Sequence, residues 1–466
     1  MKKTLLILSV CATMLTSFMA KAQDETPYTL TVFNQAIFYG MYEGTVNEPV
    51  PEGAIRNSNS SYGKKLTQAQ LDAFGNTLTM TVTLNPLCDN YDRIGNVNIA
   101  FVPKNATSYD FKMVKKLEIG RFITPFMDKN AGVQEVPYVY DLDHLTNIFH
   151  DADITALYDI WVELEVYGYQ GGPGQGGAAV EIPGCSGRND VYMGSLTFES
   201  TTDTSITAPQ NSFLETLSYK YELKNYTTDG TDILGQTVRS LTINLDSPLE
   251  NAQLHIITSN HGSGNNGEEY VRRRHYIYFD GVEKLSYRPG GVSCIPYIDY
   301  NTQFNCIYYQ CGNPPNYPPL PDTNSAWSWN NWCPGNAIPN RVVDLGSVAA
   351  GAHTFKIEVP DAQFANGEGY FPMSVYMTGD GNSASLGKKD FTLNTVNIYP
   401  NPVTDIATIA VADLGIKSVN VINTLGQTVL TGTSDKVDMS PLQSGIYMVK
   451  VVLDNNQTTV KKIVKN

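Results

Sequence analysis

Leu78-Thr-Met-Thr-Val-Thr-Leu84 alternates apolar residues with threonines. Successive side chains of a strand point to opposite faces, so this period of two makes one apolar face and one hydroxyl face. β-Branched threonine also suits a pleated, half-buried surface. The same period returns in Val97-Asn-Ile-Ala-Phe-Val102, Leu241-Thr-Ile-Asn-Leu245 and Thr354-Phe-Lys-Ile-Glu-Val359, each bounded by Asn, Gly, Asp or Pro. Short alternating runs with turn residues between them predict antiparallel sandwiches, and 28 tyrosines and 38 glycines agree with that. Helical signals are short: Thr67 to Phe74, and Asp143 to Asp151 with Asp143 placed as N-cap.

Residues 1–22 read as an export signal. Lys2 and Lys3 form the charged start, Leu5 to Leu15 the apolar stretch and Ala20-Lys21-Ala22 the cleavage site. The apolar stretch falls short of the roughly 18–20 residues needed to span a bilayer, and no later segment reaches it. The remaining chain exceeds what one core holds. The Ser- and Thr-rich stretch Ser200 to Ser212 and the segment Gly379 to Lys389 read as boundaries. The expected division is 23–200, 201–380, a linker at 381–392 and a small β unit at 393–466. Gly171-Gly-Pro-Gly-Gln-Gly-Gly177 lacks the following Lys-Ser/Thr of a phosphate loop and is expected to form a long exposed loop.

The chain carries 32 basic and 46 acidic residues, a net charge of −14, and removing the signal makes it more acidic still. Such a surface repels phosphate backbones and anionic lipid, so nucleic acid is not an expected partner. Beyond Cys11 in the signal, the cysteines are Cys88, Cys185, Cys294, Cys306, Cys311 and Cys333, an even number that suits disulfides in an exported chain. No C-x-x-C occurs, and the six histidines show no H-x-H or H-E-x-x-H spacing, so no metal site or other cofactor is expected. Asp141 and Asp143 supply too few oxygens for calcium.

Acid, aromatic and base crowd together in Cys88-Asp-Asn-Tyr-Asp-Arg93, just before an alternating strand. A carboxylate beside an arginine is expected to stay ionised and oriented, and a tyrosine offers a stacking face to a sugar ring. A surface Asp-Arg pair would look the same. Further segments decide between them. Cys88-Asp-Asn-Tyr-Asp-Arg-Ile-Gly-Asn-Val97 and Leu117-Glu-Ile-Gly-Arg-Phe-Ile-Thr-Pro125 are followed by Ile160-Trp-Val-Glu163, His261-Gly, Glu268-Glu-Tyr-Val-Arg-Arg-Arg-His275 and Trp332-Cys-Pro-Gly-Asn-Ala-Ile-Pro-Asn-Arg341. In this order, over about residues 75 to 375, they resemble the peptide-N-glycosidase F family. At the C-terminus, Tyr399-Pro-Asn-Pro402, Asn423-Thr-Leu-Gly-Gln427 and Ser444-Gly-Ile-Tyr447 resemble the type A sorting domain of proteins exported by the type IX system of Bacteroidetes.

The resemblance implies an all-β chain: two jelly-roll-like antiparallel β-sandwiches side by side, with the site at their interface, plus a small C-terminal β-sandwich. It implies a secreted amidase that hydrolyses the amide joining Asn to N-acetylglucosamine in N-glycosylated proteins or glycopeptides, converting Asn to Asp. Carried over by motif, Asp92 is the principal acid/base group and Glu269 its partner acting through water. Glu163 is a supporting sugar-binding or site-orienting group. Tyr91, Arg93, Trp161, His261, Tyr270 and Trp332 are the expected substrate-binding residues, and Trp327 and Trp329 are further stacking candidates. Three converging acids are expected to raise at least one carboxyl pKa. Arg272, Arg273 and Arg274 are expected on a strand edge. The resemblance places Cys333 in a bridge to Cys294; Cys306 with Cys311 and Cys88 with Cys185 complete the expected set.

The chain departs from the family at Asn260, where an aromatic is usual nearby, at Leu164-Glu165, where a Trp is expected, and at Trp329 in place of an arginine. The acids are retained while the sugar-contacting positions differ. The expected location is the outer cell surface or the medium, reached through the periplasm by the type IX machinery, as a monomer. The rivals are a non-catalytic glycan-binding or adhesive protein on the same sandwiches and a copper monooxygenase. The latter would need clustered histidines.

Overall fold

A computed structural model describes residues 27–106, 109–111, 114–172, 176–206, 212–262, 267–302, 331–381, 397–410, 416–424, 426–453 and 458–466. The signal segment, Cys306, Cys311, Trp327 and Trp329 lie outside the described residues. The first part of the chain forms β1 (Tyr28–Tyr39), β2 (Ala54–Ser58), β3 (Ser61–Lys65), β4 (Thr79–Pro86), β5 (Ile94–Pro103), β6 (Lys115–Ile123), β7 (Val136–Asp141), β8 (Tyr158–Val166) and β9 (Asp190–Ser200). The second contributes β10 (Ser212–Leu223), β11 (Val238–Leu245), β12 (Leu249–Thr258), β13 (His275–Phe279), β14 (Val282–Tyr287), β15 (Ala337–Ile338), β16 (Asn340–Val348), β17 (Gly351–Glu358) and β18 (Phe371–Asp380). Seven more strands between Asn397 and Lys465 make a small third sandwich with its own core around Val419, Val421, Val449 and Val451.

In the first sandwich, the four-stranded sheet β1-β9-β4-β7 faces the six-stranded sheet β15-β6-β5-β8-β3-β2. Met80, Val82 and Leu84 turn into the shared core, as the alternation of the opening stretch requires, and meet Val97, Ile99, Val162 and Leu164. The second sandwich packs β10-β18-β12-β16 against β11-β17-β13-β14 around Leu254, Ile256, Ile357 and Val375. All the named pairings are antiparallel.

β15 belongs in sequence to the second part but pairs with β6 of the first, Ala337 opposite Phe122 and Ile338 opposite Arg121. The two sandwiches are thereby sewn edge to edge. β8 is buried along nearly its whole length; Lys220 of β10 covers Glu165, whereas Trp161 and Glu163 are covered by Tyr109 and Asn57 of the first sandwich. Ile160, Val162, Leu164 and Val166 face the core, while Asp159, Trp161, Glu163 and Glu165 lie on the opposite face.

That opposite face is polar yet sealed. Lys116 pairs with Glu163 at 2.6 Å, Arg121 with Glu118 at 2.7 Å, and Lys220 of β10 reaches Glu165 at 2.6 Å. Arg121 also crosses to Ser259 Oγ (3.0 Å) and the Pro372 carbonyl (2.7 Å), and Ser374 donates to Glu118. Farther along the interface His144 stacks on His255 with ring centroids 4.3 Å apart, and His255 on Tyr376 at 4.5 Å. Paired buried charges add little net stability, but they tolerate few alternative registers.

Local expectations fare unevenly. Thr67 caps the helix Gln68–Asp72 with a full capping box. Asp143 does not cap a helix: it accepts from the Leu78 amide at 2.6 Å, and the 143–157 region breaks into a 3-10 turn and two short helices, the last capped by Asp151. The Gly171–Gly177 stretch is not an open loop at its ends, since Gly172 bridges Gly176 and both Gly171 and Gly177 are buried. Disulfides join Cys88 to Cys185 and Cys294 to Cys333.

Candidate active site

The loop from Leu87 to Arg93 leads from β4 into β5 and is tied down at every step. Cys88 is bridged to Cys185, and its amide donates to the Asp190 carbonyl at 2.9 Å. The Tyr91 carbonyl accepts from Thr124 Oγ1 (3.0 Å) and the Tyr192 hydroxyl (2.8 Å). The Arg93 amide donates to Thr124 Oγ1 at 2.7 Å. Thr124 ends the Glu-Ile-Gly-Arg-Phe-Ile-Thr run, so in this chain the second motif holds the loop formed by the first.

Arg93 does not pair with Asp92. Its guanidinium grips the fully buried Asp89 through Nε (2.7 Å) and Nη2 (3.2 Å), and Asp89 also accepts from the amides of Tyr91 (3.0 Å) and Tyr169 (2.7 Å). Among the described residues, Asp92 is left without a direct cation partner. Its carboxyl pKa is pushed up to about 8, first by burial and then by the charge of Glu269, against the weaker pull of Arg93. The expectation that the neighbouring arginine would hold Asp92 ionised is therefore corrected; the guanidinium is engaged by Asp89.

Glu269 approaches from the second sandwich in the same manner. Its neighbour Glu268 is buried and holds Arg273 through Nε (3.1 and 3.0 Å) and Nη2 (2.9 Å), while accepting from the Gln363 amide at 2.9 Å. Asn331 Nδ2 donates to the carbonyls of both Glu268 (2.8 Å) and Glu269 (2.6 Å). Burial raises the Glu269 carboxyl, tempered by a backbone hydrogen bond from Gly262 and by the Tyr270 side chain. Gly262 and Gly369 cross so closely that a Cβ on Gly262 would stand 2.9 Å from the Gly369 Cα, so only glycine lets the Gly262 amide approach Glu269.

Asp92 and Tyr270 thus both lie close enough to Glu269, across the domain boundary for Asp92, to feel its charge. The Tyr270 hydroxyl, pushed up to about 12 chiefly by burial, feels both carboxylates. Tyr270 is 46% exposed and Tyr91 42%, so each offers ring surface beside an acid. Arg93 lies 5.4 Å from the Tyr91 ring centre. His261 is half-buried beside Tyr370 and Trp332, with its pKa pushed down to about 3 by burial and then by Arg121.

Three expected residues stand elsewhere. Glu163 pairs across β5 with Asn98, four residues from Ile94, or about 13 Å along the strand. Its carboxylate is occupied by Lys116, the Tyr109 hydroxyl (2.8 Å) and Asn57 (3.1 Å). Trp161 is buried with Ala100, Val102 and Tyr109. Trp332 is 5% exposed, packed on Ile123, Ile257 and Ile338 with Nε1 donating to the Asn260 carbonyl at 3.1 Å, so it supports the site from behind rather than presenting a ring to a sugar. Arg272, Arg273 and Arg274 precede β13 in a loop and are not on a strand edge. Arg272 donates to the Pro289 carbonyl, and Arg274 to Ser286.

Profiles of peptide-N-glycosidase F match the chain in two places, the N-terminal part at residues 29–169 and the C-terminal part at 231–378, together more than half of it. The chain belongs to the peptide-N-glycosidase F family. The profile of the secretion system C-terminal sorting domain covers residues 397–466, which marks the chain for export to the cell surface or beyond. No curated protein matches the chain in sequence. Among solved structures, two of PNGF-II are 19% and 20% identical with TM-scores of 0.53 and 0.51, over 76% of this chain and 65% of theirs. This chain therefore spans just under two thirds of PNGF-II, and at that identity the likeness speaks for the fold. A structure of peptide-N-glycosidase F from Flavobacterium meningosepticum is 14% identical over 77% of this chain and 97% of its own, with a TM-score of 0.46. Within the described residues no helix is long and apolar enough to cross a membrane.

Proposed function

We propose that the chain is a secreted amidase that hydrolyses the Asn–N-acetylglucosamine amide of N-linked glycoproteins or glycopeptides. The observation that carries this reading is a pair of acids, Asp92 and Glu269, brought together from two sandwiches while their neighbours Asp89 and Glu268 take the arginines. Amide hydrolysis needs an activated water and a proton for a poor leaving nitrogen. With its pKa near 8, Asp92 carries that proton at neutral pH. Glu269 takes a proton from water, the hydroxyl adds to the amide carbonyl, and the C–N bond breaks as Asp92 protonates the nitrogen. The products are an Asp side chain and a glycosylamine.

Tyr91 and Tyr270 serve as the sugar-facing rings and Arg93 holds the Asp92 loop. Glu163 acts as a positioning residue through the interface it shares with Lys116. The division into 23–200, 201–380, a linker at 381–392 and a tail from 393, the type IX machinery as the tail's partner, and a monomeric state belong to the same reading. A purely glycan-binding surface would have no use for a carboxyl held protonated at neutral pH. The test is incubation of the full chain with a denatured N-glycoprotein, reading released glycan and the Asn-to-Asp mass change. Release with conversion is expected; intact glycopeptide would overturn the reading.

A further inference from the structure

His261 lies at the domain interface, next in the chain to Gly262, whose amide bonds Glu269, and its hydrogen bonds determine where its proton is. Arg121 has donors only. It spends Nε (2.8 Å) and Nη2 (2.7 Å) on Glu118, and Nη1 on the Pro372 carbonyl (2.7 Å) and Ser259 Oγ (3.0 Å). Towards Arg121, therefore, Ser259 Oγ is an acceptor. The hydroxyl keeps one proton of its own, and Ser259 is only 1% exposed, so that proton needs an acceptor inside the protein. Among the described residues the group within reach is His261 Nε2, at 2.7 Å.

If Nε2 carried the proton instead, it would donate to Oγ and strand the hydroxyl proton. A charged imidazole would strand it too, and would add a positive charge beside Arg121. Only the neutral ring with a bare Nε2 satisfies the whole chain of donors and acceptors. The proton then resides on Nδ1. Nδ1 has no partner among the described residues and is not one of the sealed, unsatisfied atoms, and the ring itself is half-buried. The backbone of His261 is fixed by a two-way bridge with Tyr370, and the next amide, that of Gly262, bonds Glu269.

We propose that His261 presents a fixed Nδ1–H donor to a carbonyl oxygen of the substrate, its tautomer set from the first sandwich through Arg121 and Ser259. This rests on the amidase reading above. A carbonyl that gains negative charge as water adds is best met by a donor already oriented, and a ring kept neutral by burial does not lose that role as pH changes. The device also makes catalysis depend on correct docking of the two sandwiches, since Arg121 and Ser259 come from opposite sides.

Two measurements test it. Long-range proton–nitrogen spectra of the native full chain, with histidine labelled, need no variant: a proton on Nδ1 and a bare Nε2 are expected for His261 across neutral pH. A proton on Nε2, or titration near pH 6.5, would overturn the proposal. The second compares His261→Asn with His261→Gln. The Asn amide nitrogen falls near the Nδ1 position and the Gln nitrogen near Nε2, so Asn should retain kcat within about tenfold while Gln loses about 100-fold, the size expected for one lost donor. A purely structural ring, needed only for its bond to Ser259, would reverse that order and sink the idea. Failure of the native protein to convert Asn to Asp would count against the amidase reading instead, and the spectra would still decide the tautomer.

Discussion

Two groups of carboxylates, one buried and one half-buried, lie on the same two sandwiches and behave oppositely. On the outer face of the six-stranded sheet, Glu163, Glu118 and Glu165 each have a cation within 2.7 Å, from Lys116, Arg121 and Lys220. At the end of that sheet, Asp92 feels the charge of Glu269, neither acid has an ion-pair partner among the described residues, and both pKa values rise. Burial alone therefore does not make an acid reactive. A paired carboxylate is a fastening, whereas burial beside a like charge leaves a proton available near neutral pH.

The sharpest way to break this comparison is to neutralise one member of each group. Asp92→Asn or Glu269→Gln should lower kcat at least about 1000-fold, or roughly 4 kcal/mol in the barrier, with thermal unfolding unchanged or slightly improved. Glu163→Gln should do the reverse, lowering unfolding free energy by about 3 kcal/mol because Lys116 is left buried and unpaired, while kcat per folded molecule falls by less than about tenfold because Glu163 acts on the site only through that interface. Parallel kinetics and denaturant melts check both; an active Asp92→Asn enzyme would erase the distinction.

A smaller effect tests the interface on which both groups depend. His144 is pushed down to about 4, and His255, His261 and His275 to about 3, chiefly by burial. These folded-state values lie below the unfolded one of about 6.5, so stability is full above pH 6.5 and falls as the pH drops towards 3–4. Melts should show a loss of ~2 kcal/mol or more between pH 7 and pH 5, and His255→Phe should flatten that slope. Activity should show a separate limb on the alkaline side, falling through about pH 8 as Asp92 loses its proton. The smallest effect is expected from removing residues 393 to 466: the tail has its own core, so kcat should be unchanged while export stops. Efficient secretion of the truncated chain would reject the sorting role.

Strand alternation, the capping box at Thr67 and the ordered motifs were legible because they depend on neighbours in the chain. The chain's own alternation reveals that β8 has a polar side, and the family resemblance assigns Glu163 and Trp161 of that side to the site. It does not reveal that Asn57, Tyr109 and Lys116 of the same sandwich close over that side, about 13 Å along β5 from Ile94. The packing of Trp332 is hidden in the sequence as well, since a ring that stacks on sugar and one that packs on Ile123 look the same there. The roles of Asp89 and Glu268 were missed although both stand inside motifs already singled out.

By itself the sequence determined the all-β class, the export signal and sorting tail as expectations, and the family with its Asp92 and Glu269 motifs. It could not say which acid of each motif an arginine would claim. Cys88-Asp-Asn-Tyr-Asp-Arg93 contains two acids and one arginine and Glu268-Glu-Tyr-Val-Arg-Arg273 two acids and two arginines, and charge attraction alone favours neither acid. Tertiary structure decided it. The acid turned inward meets the Tyr169 amide, or the Gln363 amide, together with its arginine, whereas the other is left facing its counterpart across the boundary. A pKa depends on desolvation and on charges brought near in space, and both arise only when the two sandwiches dock.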